Sequence, residues 1–230
     1  MPLRCITFDL DDTLWECGPL LWAAEEAFYD WVKCHYPLIS AHYSLAELVS
    51  HRREFFQRYP DMQHDFTSLR RRWLHHLGEG FGFGPQLVEP GFRVFWERRN
   101  AVTLFDEAHA LLDGMRERYA VGAITNGNAD VHHIGIGHYF DFVITAADAG
   151  AAKPKPEIFH AALAAAGVEA EQAVHVGDDP RRDVQGANAV GMRTVWVNVE
   201  CKPWPGGSPP DAELRTLDEL ESVLEGWQER

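Results

Sequence analysis

Asp9 and Asp11 stand two apart in Ile6-Thr7-Phe8-Asp9-Leu10-Asp11-Asp12-Thr13-Leu14-Trp15, directly after an apolar, β-prone run from Leu3 to Phe8. On a regular strand, positions i and i+2 share a face, so both carboxylates point into one crevice. Carboxylates so placed repel each other. Both stay ionised only with a cation between them; otherwise one keeps a proton. The first outcome is a metal site and the second a proton donor, and both serve catalysis. The non-catalytic alternative is a solvated acidic loop after a strand. Further polar clusters follow other apolar runs: Thr125-Asn126-Gly127-Asn128 after Ala120–Ile124, and Gly177-Asp178-Asp179 after Ala173–Val176, with Asp183 a turn later. A loop adds Lys153-Pro154-x-Pro156.

These clusters meet only if the elements between them place them along one edge. The pattern of residues 100–230 alternates short apolar strands (120–124, 142–145, 173–176, 193–199) with helical segments (106–119, 156–166, 180–190, 217–224). Such alternation predicts βαβ units and an α/β, doubly wound parallel sheet of Rossmann-like type. In that architecture all strand C-termini lie along one edge, where ligands bind. The convergent set is then several carboxylates, a hydroxyl, an amide and one ammonium. Hard oxygen ligands without His or Cys suit Mg²⁺. A threonine hydroxyl with the following backbone N–H groups, and a lysine, make a phosphate cradle. Phosphoryl transfer is the chemistry that needs such positioning and charge neutralisation.

Residues 16–99 break the alternation. Leu20, Leu21, Ala24, Ala27, Phe28, Trp31 and Val32 recur at helical spacing up to Pro37, and Ser44 with Glu47 forms a capping-box pattern before a second helix. A third helix is expected from about Asp65 or Thr67 to Leu77, and a fourth from about Pro85 to Arg99, with a possible break at Pro90-Gly91. The block is read as an inserted all-helical domain, 16–99. Residues 1–15 and 100–230 then form the core.

Length and composition bound the rest. The chain has 230 residues, 46% hydrophobic and 24% charged, ordinary values for a soluble globular protein. No apolar run approaches the roughly 20 residues needed to span a bilayer. The N-terminus runs straight into a strand without a signal-peptide pattern, so a cytoplasmic location is expected. Four scattered cysteines, Cys5, Cys17, Cys34 and Cys201, give neither a disulfide framework nor a zinc ribbon. A net charge of −14 disfavours nucleic acid as a partner. Residues 16–98 hold 9 Lys+Arg against 11 Asp+Glu, so the remaining 147 residues carry −12 of that charge.

Phe-Asp-Leu-Asp-Asp-Thr at 8–13, Ile-Thr-Asn-Gly-Asn at 124–128, Lys-Pro-x-Pro-x-Ile-Phe at 153–159 and Val-Gly-Asp-Asp-x-x-x-Asp at 176–183 resemble, in order, the four motifs of the haloacid dehalogenase (HAD) superfamily. The resemblance covers nearly everything outside 16–98, where that superfamily inserts a helical cap. It implies a Mg²⁺-dependent phosphatase. Asp9 is then the nucleophile and Asp11 the general acid and base. Thr125, Asn126 and Lys153 hold the transferring phosphate. Asp9, the Asp11 carbonyl and Asp178 take the metal, with Thr13, Asp179 and Asp183 behind them. An acid at position 11 separates phosphatases of this superfamily from its dehalogenases, which expel halide and need no proton donor. Within the superfamily the chain is most similar to bacterial phosphatases acting on flavin mononucleotide (FMN) and on a phosphoribitylaminouracil. That likeness rests on 123–129, on 175–179 and on His64-Asp65-Phe66-Thr67 with Arg70 and Arg72. The expected partner is a small phosphorylated metabolite, and the expected assembly a monomer or weak homodimer.

Residues beside these motifs have plainer readings. Asp12 is expected to be solvated and His175 to be a packed strand residue. Cys17 is expected to be inert, and His75-His76 and His132-His133 to lie at the surface. Trp15 either stacks on a substrate ring or packs locally. Arg70, Arg71 and Arg72 cover about 200° of a helix, so one of them is a candidate substrate contact.

Overall fold

The protein is described from a computed structural model covering residues 2–228. The chain divides into two compact units. One holds the N-terminal stretch to Glu16, Thr103–Gly127 and everything from Val131 onward; the other holds Cys17–Val102 with Asn128–Asp130.

The first unit is built on a six-stranded parallel sheet. Its strands are β1 (Cys5–Phe8), β2 (Ala120–Thr125), β3 (Phe142–Thr145), β4 (Ala173–Gly177), β5 (Arg193–Val197) and β6 (Ala212–Leu214), in the order β3-β2-β1-β4-β5-β6. β1 lies in the middle, paired in register with β2 (Phe8 opposite Ala123) and with β4 (Thr7 opposite His175). All residues of β1 and β4 are buried, as expected of strands covered on both faces. On one face Cys5 and Ala173 join a core with Ile124, Ile158, Phe159, Ala162 and Ala187. β6 goes beyond the sequence expectation. It has three residues, Ala-Glu-Leu, too few to show an alternation, and pairs only with β5 at the sheet edge.

The second unit is helical: α1 (Cys17–His35), α2 (Pro37–His42), α3 (Leu45–Gln57), α4 (Phe66–Gly80) and α5 (Val88–Arg99). Pro37 ends α1 and also opens α2, at a position where its missing N–H costs nothing. The Ser44 capping box forms: the Ser44 N–H donates to Glu47 Oε2 at 2.8 Å and the Glu47 N–H to Ser44 Oγ at 3.3 Å. Asp65 caps α4 by accepting from the Ser68 N–H. Pro90 does not interrupt α5; it sits in the first turn, where proline is tolerated. At Gly91 an added Cβ would lie 3.0 Å from Phe28 and 3.1 Å from Trp31, so the absence of a side chain lets α5 approach α1 closely. Phe28, Trp73, Leu74, Phe92 and Phe95 form the centre of this unit's core.

The remaining helices belong to the sheet unit, apart from three residues before α7. They are α6 (Asp106–Arg116), α7 (Val131–Ile134), α8 (Ala146–Ala149), α9 (Pro156–Ala166), α10 (Gly186–Ala189) and α11 (Leu220–Gln228). The helix expected from Pro180 forms, opening as a wider π-helical stretch, Pro180–Gln185, and continuing as α10. Its start is capped by Asp179, whose Oδ1 accepts from the N–H groups of Arg181 and Arg182 at 2.8 Å each.

Candidate active site

The turn after β1 places two carboxylates differently. Asp9 continues the strand, its N–H donating to the Val176 carbonyl at 2.8 Å. The chain then reverses tightly: the N–H groups of Thr13 and Leu14 both donate to the Leu10 carbonyl, and Asp12 N–H to that of Trp15. Asp12 takes a φ of 64°, a left-handed conformation that Asp tolerates better than most residues. Asp9 is buried, whereas Asp11 is half-buried and accepts from the Trp15 indole N–H at 2.8 Å.

Lys153 reaches Asp9 from below. Its Nζ donates to Asp9 Oδ1 at 2.5 Å and to the Ile124 carbonyl at 2.8 Å, and lies 2.6 Å from Asp183 Oδ1. Asn126 braces the loop that presents it: the Lys153 N–H donates to Asn126 Oδ1 at 2.7 Å, and Asn126 Nδ2 donates to the Lys153 carbonyl at 3.0 Å. Thr125 Oγ1 accepts from the Gly127 N–H at 2.9 Å, which leaves its own proton to donate elsewhere. Thr13 Oγ1 lies 3.5 Å from Asp9 Oδ2 and 3.4 Å from Asp178 Oδ1. The Asp178 carbonyl accepts from the Trp196 indole at 2.7 Å.

Charge in this pocket is unbalanced. Carboxylate oxygens of Asp9, Asp178 and Asp183 lie within 4.8 Å of one another, with a single ammonium among them. Burial pushes the Asp9 carboxyl well above its ordinary range, against the pull of Lys153, and Asp183 and Asp178 push the same way. Burial, reinforced by Asp183, Asp12 and Asp179, raises Asp178 to about 7. Asp183 behaves oppositely. Despite its burial, Lys153 and a hydrogen bond from His175 hold it well below the carboxylate range. Burial acts to lower Lys153, but the Asp183 and Asp9 charges overcome it and raise its pKa. With Lys153 paired to Asp183, Asp9 and Asp178 ionise together only beside a further cation. An oxygen-only donor set suits a hard divalent ion such as Mg²⁺. The residues therefore fit the metal implied by the sequence.

Residues 3–191 match the family of haloacid dehalogenase-like hydrolases. The chain belongs to that family. Among its curated relatives is the 5-amino-6-(5-phospho-D-ribitylamino)uracil phosphatase YigB of Escherichia coli, 28% identical over 96% of both chains. A glyceraldehyde 3-phosphate phosphatase of Pyrococcus abyssi is 31% identical over 84% of this chain and 81% of its own. Among solved structures, one described as a 2-haloacid dehalogenase from Pseudomonas syringae superposes with a TM-score of 0.91 at 38% identity, covering 98% of this chain and 99% of that one.

In this haloacid dehalogenase-like hydrolase, Trp15 and Arg70 are both buried. Trp15 is only 1% exposed, so it does not offer a face to a substrate ring; its indole holds Asp11 instead. Arg70 is also not a free cation. It is buried in the helical unit, paired with Glu25, and its guanidinium lies 3.2 Å from the centre of the Phe95 ring. Burial lowers its pKa to about 10. Arg71 pairs with Glu89, and Arg72 is exposed above the Tyr59 ring. Two further residues touch the site: Trp196, whose indole holds the Asp178 carbonyl, and His175, packed on its strand as expected and also 3.2 Å from Asp183. Their types carry no motif signal; only strand register brings them there.

Proposed function

We propose that this hydrolase is a Mg²⁺-dependent phosphomonoesterase of a small phosphorylated metabolite, working through an aspartyl phosphate on Asp9. The observation that carries the reading is the division of labour between the carboxylates: Asp9 is buried on Lys153, while Asp11 is held apart by Trp15. Asp9 attacks phosphorus as the P–O ester bond breaks, and Asp11 gives its proton to the departing alkoxide. Water then attacks the acyl phosphate, Asp11 takes its proton, and the Asp9–phosphorus bond breaks to release phosphate. Thr125 and the Asn126 N–H hold the phosphoryl oxygens as charge shifts among them, and Lys153, bound to Asp9, neutralises charge on the nucleophile and the transferring group. Asp9, Asp178 and the Asp11 carbonyl would hold Mg²⁺, which supplies neutralisation of phosphoryl charge. Thr13, Asp179 and Asp183 support these groups.

Residues 16–99 are proposed as the cap that governs substrate choice. The relatives named as phosphatases support the reaction class, and the phosphoribitylaminouracil phosphatase among them supports a ribityl phosphate, of which FMN is one. Sugar phosphates and nucleotides are the nearest alternatives. Among the described residues no helix is long and apolar enough to cross a membrane. A cytoplasmic monomer or weak homodimer is the expected form.

A second reading, dehalogenation, is favoured by the structural likeness to the Pseudomonas syringae protein. Asp11 argues against it, because halide leaves without a proton. A non-catalytic phospholigand-binding role is disfavoured because both the nucleophile and the acid are present. The test is a panel of phosphorylated metabolites with Mg²⁺, including FMN and sugar phosphates, run beside halide release from a short 2-haloacid. Phosphate release by the wild type, lost in Asp9→Asn with its far-UV spectrum intact, is the expected result. Halide release without phosphate release would replace this reading, and full activity in Asp9→Asn would remove the mechanism.

A further inference from the structure

A line of polar atoms crosses the apolar face of the sheet behind the site. Thr7 and His175 are direct cross-strand partners on β1 and β4. Thr7 Oγ1 lies 2.9 Å from His175 Nδ1, and His175 Nε2 lies 3.2 Å from Asp183 Oδ1. The same Asp183 oxygen meets Lys153 Nζ at 2.6 Å, and Lys153 meets Asp9 at 2.5 Å. Every member is buried: Thr7 and His175 are 1% exposed and Asp183 is 2%. The second Asp183 oxygen accepts the Asp179 N–H at 2.9 Å. Gly177 makes room for this carboxylate, since a Cβ there would lie 2.4 Å from Asp183 Cγ. The Phe159 ring packs against the imidazole in a T-shaped pair.

The protons along this line are determined by exclusion. Thr7 has one hydroxyl proton and two acceptors in reach, His175 Nδ1 and the Val174 carbonyl at 3.2 Å. Giving it to Val174 would require His175 to carry its proton on Nδ1. A bare Nε2 would then face an ionised carboxylate, two acceptors in contact in a dry interior. The opposite arrangement satisfies every atom: Thr7 donates to Nδ1 and Nε2–H donates to Asp183. Burial, which lowers the pKa of His175, keeps the ring neutral so that it has only one proton to place.

We propose that His175 is a positioning residue for phosphoryl transfer: its Nε2–H, oriented by Thr7, fixes the Asp183 carboxylate that holds Lys153 on the nucleophile Asp9. The role rests on the phosphatase reading above. Removing the donor leaves Asp183 with one fewer partner and lets Lys153 drift from Asp9. Partners behind catalytic groups are typically worth 10–100-fold, so a loss of about 10-fold in kcat is expected.

The test compares His175→Phe with His175→Gln. Phe keeps an aromatic ring against Phe159 but donates nothing; Gln breaks the packing but keeps an N–H close to the Nε2 position. With p-nitrophenyl phosphate and Mg²⁺, His175→Phe should lose about 10-fold in kcat with KM little changed, and His175→Gln should recover most of it. The reverse order, Phe active and Gln impaired, would make His175 a packing residue and overturn the role. A readout independent of turnover is the long-range ¹H–¹⁵N spectrum of histidine-labelled protein, with His175 assigned by its absence in His175→Gln. The neutral Nε2–H tautomer is expected, and an Nδ1–H tautomer overturns the relay. If the wild type hydrolyses no phosphate ester, the phosphatase reading fails while this spectrum still decides the geometry.

Discussion

Asp178 shows how one side chain's setting controls the site. Its carboxyl is raised to about 7 by burial and by the carboxylates of Asp183, Asp12 and Asp179. An unfolded Asp releases its proton near pH 4, so between about pH 4 and 7 the metal-free folded state holds a proton that the unfolded state has lost. This group's contribution to stability therefore weakens as pH rises through that window. Bound Mg²⁺ would reverse the preference by favouring the ionised form. If Mg²⁺ binds at Asp9 and Asp178, its thermal shift is expected to grow from about pH 5 through about pH 7 as these raised carboxyls give up their protons, measured as Tm with and without the ion. A shift that is flat in pH would mean Asp178 is ionised throughout. At this scale much of the site was legible beforehand. Asp9, Thr125 and Asp178 lie at or just beyond strand ends, which in a parallel sheet must share an edge, and a loop brings Lys153 onto Asp9. Trp15, Trp196 and His175 were not legible in those roles. An aromatic or imidazole beside a motif has the same sequence signature whether it packs, stacks or donates a hydrogen bond.

Among the elements, α1, α3 and α4 are tied together by charges inside the helical unit. Glu25 on α1 accepts from Arg70 on α4 and lies 3.1 Å from Arg52 on α3. Removing one partner of a buried pair leaves an uncompensated charge and typically costs about 3–5 kcal/mol. Glu25→Gln should lower the unfolding free energy, measured by urea titration, by an amount in that range, more than Arg71→Gln, whose partner Glu89 is solvent-exposed. Equal effects would show that the buried cluster is relaxed by water. Helix boundaries here followed local rules that sequence states openly, as at Ser44 and Pro37. The element that sequence concealed is β6. Its pairing comes from β5 rather than from any preference of Ala212-Glu213-Leu214. Pro180–Gln185 is the wider, π-helical start of the segment, with Asp179 at its cap and Asp183 turned inward onto Lys153 and His175.

The whole molecule is acidic, and its charge is concentrated outside residues 16–98. A phosphate ester approaching it meets repulsion at long range and attraction only at the site. Salt screens the first over a Debye length of about 8–10 Å and leaves the buried contacts largely untouched. With Mg²⁺ saturating, kcat/KM for p-nitrophenyl phosphate should rise on the order of twofold as KCl goes from about 10 to about 150 mM. A fall with salt would instead show that local cations dominate the approach.

Lys153 also has a consequence for reagent chemistry. An ammonium has three N–H bonds, and Lys153 spends them on Asp9, Asp183 and the Ile124 carbonyl while only 4% exposed. It offers no lone pair, and no open path, to an electrophile. The chain's other lysines, Lys33, Lys155 and Lys202, are exposed. Amine acylation of the native protein should therefore mark those three and pass over the lysine that matters, so that acylation of residue 153, read by peptide mass, clocks each opening of the active site.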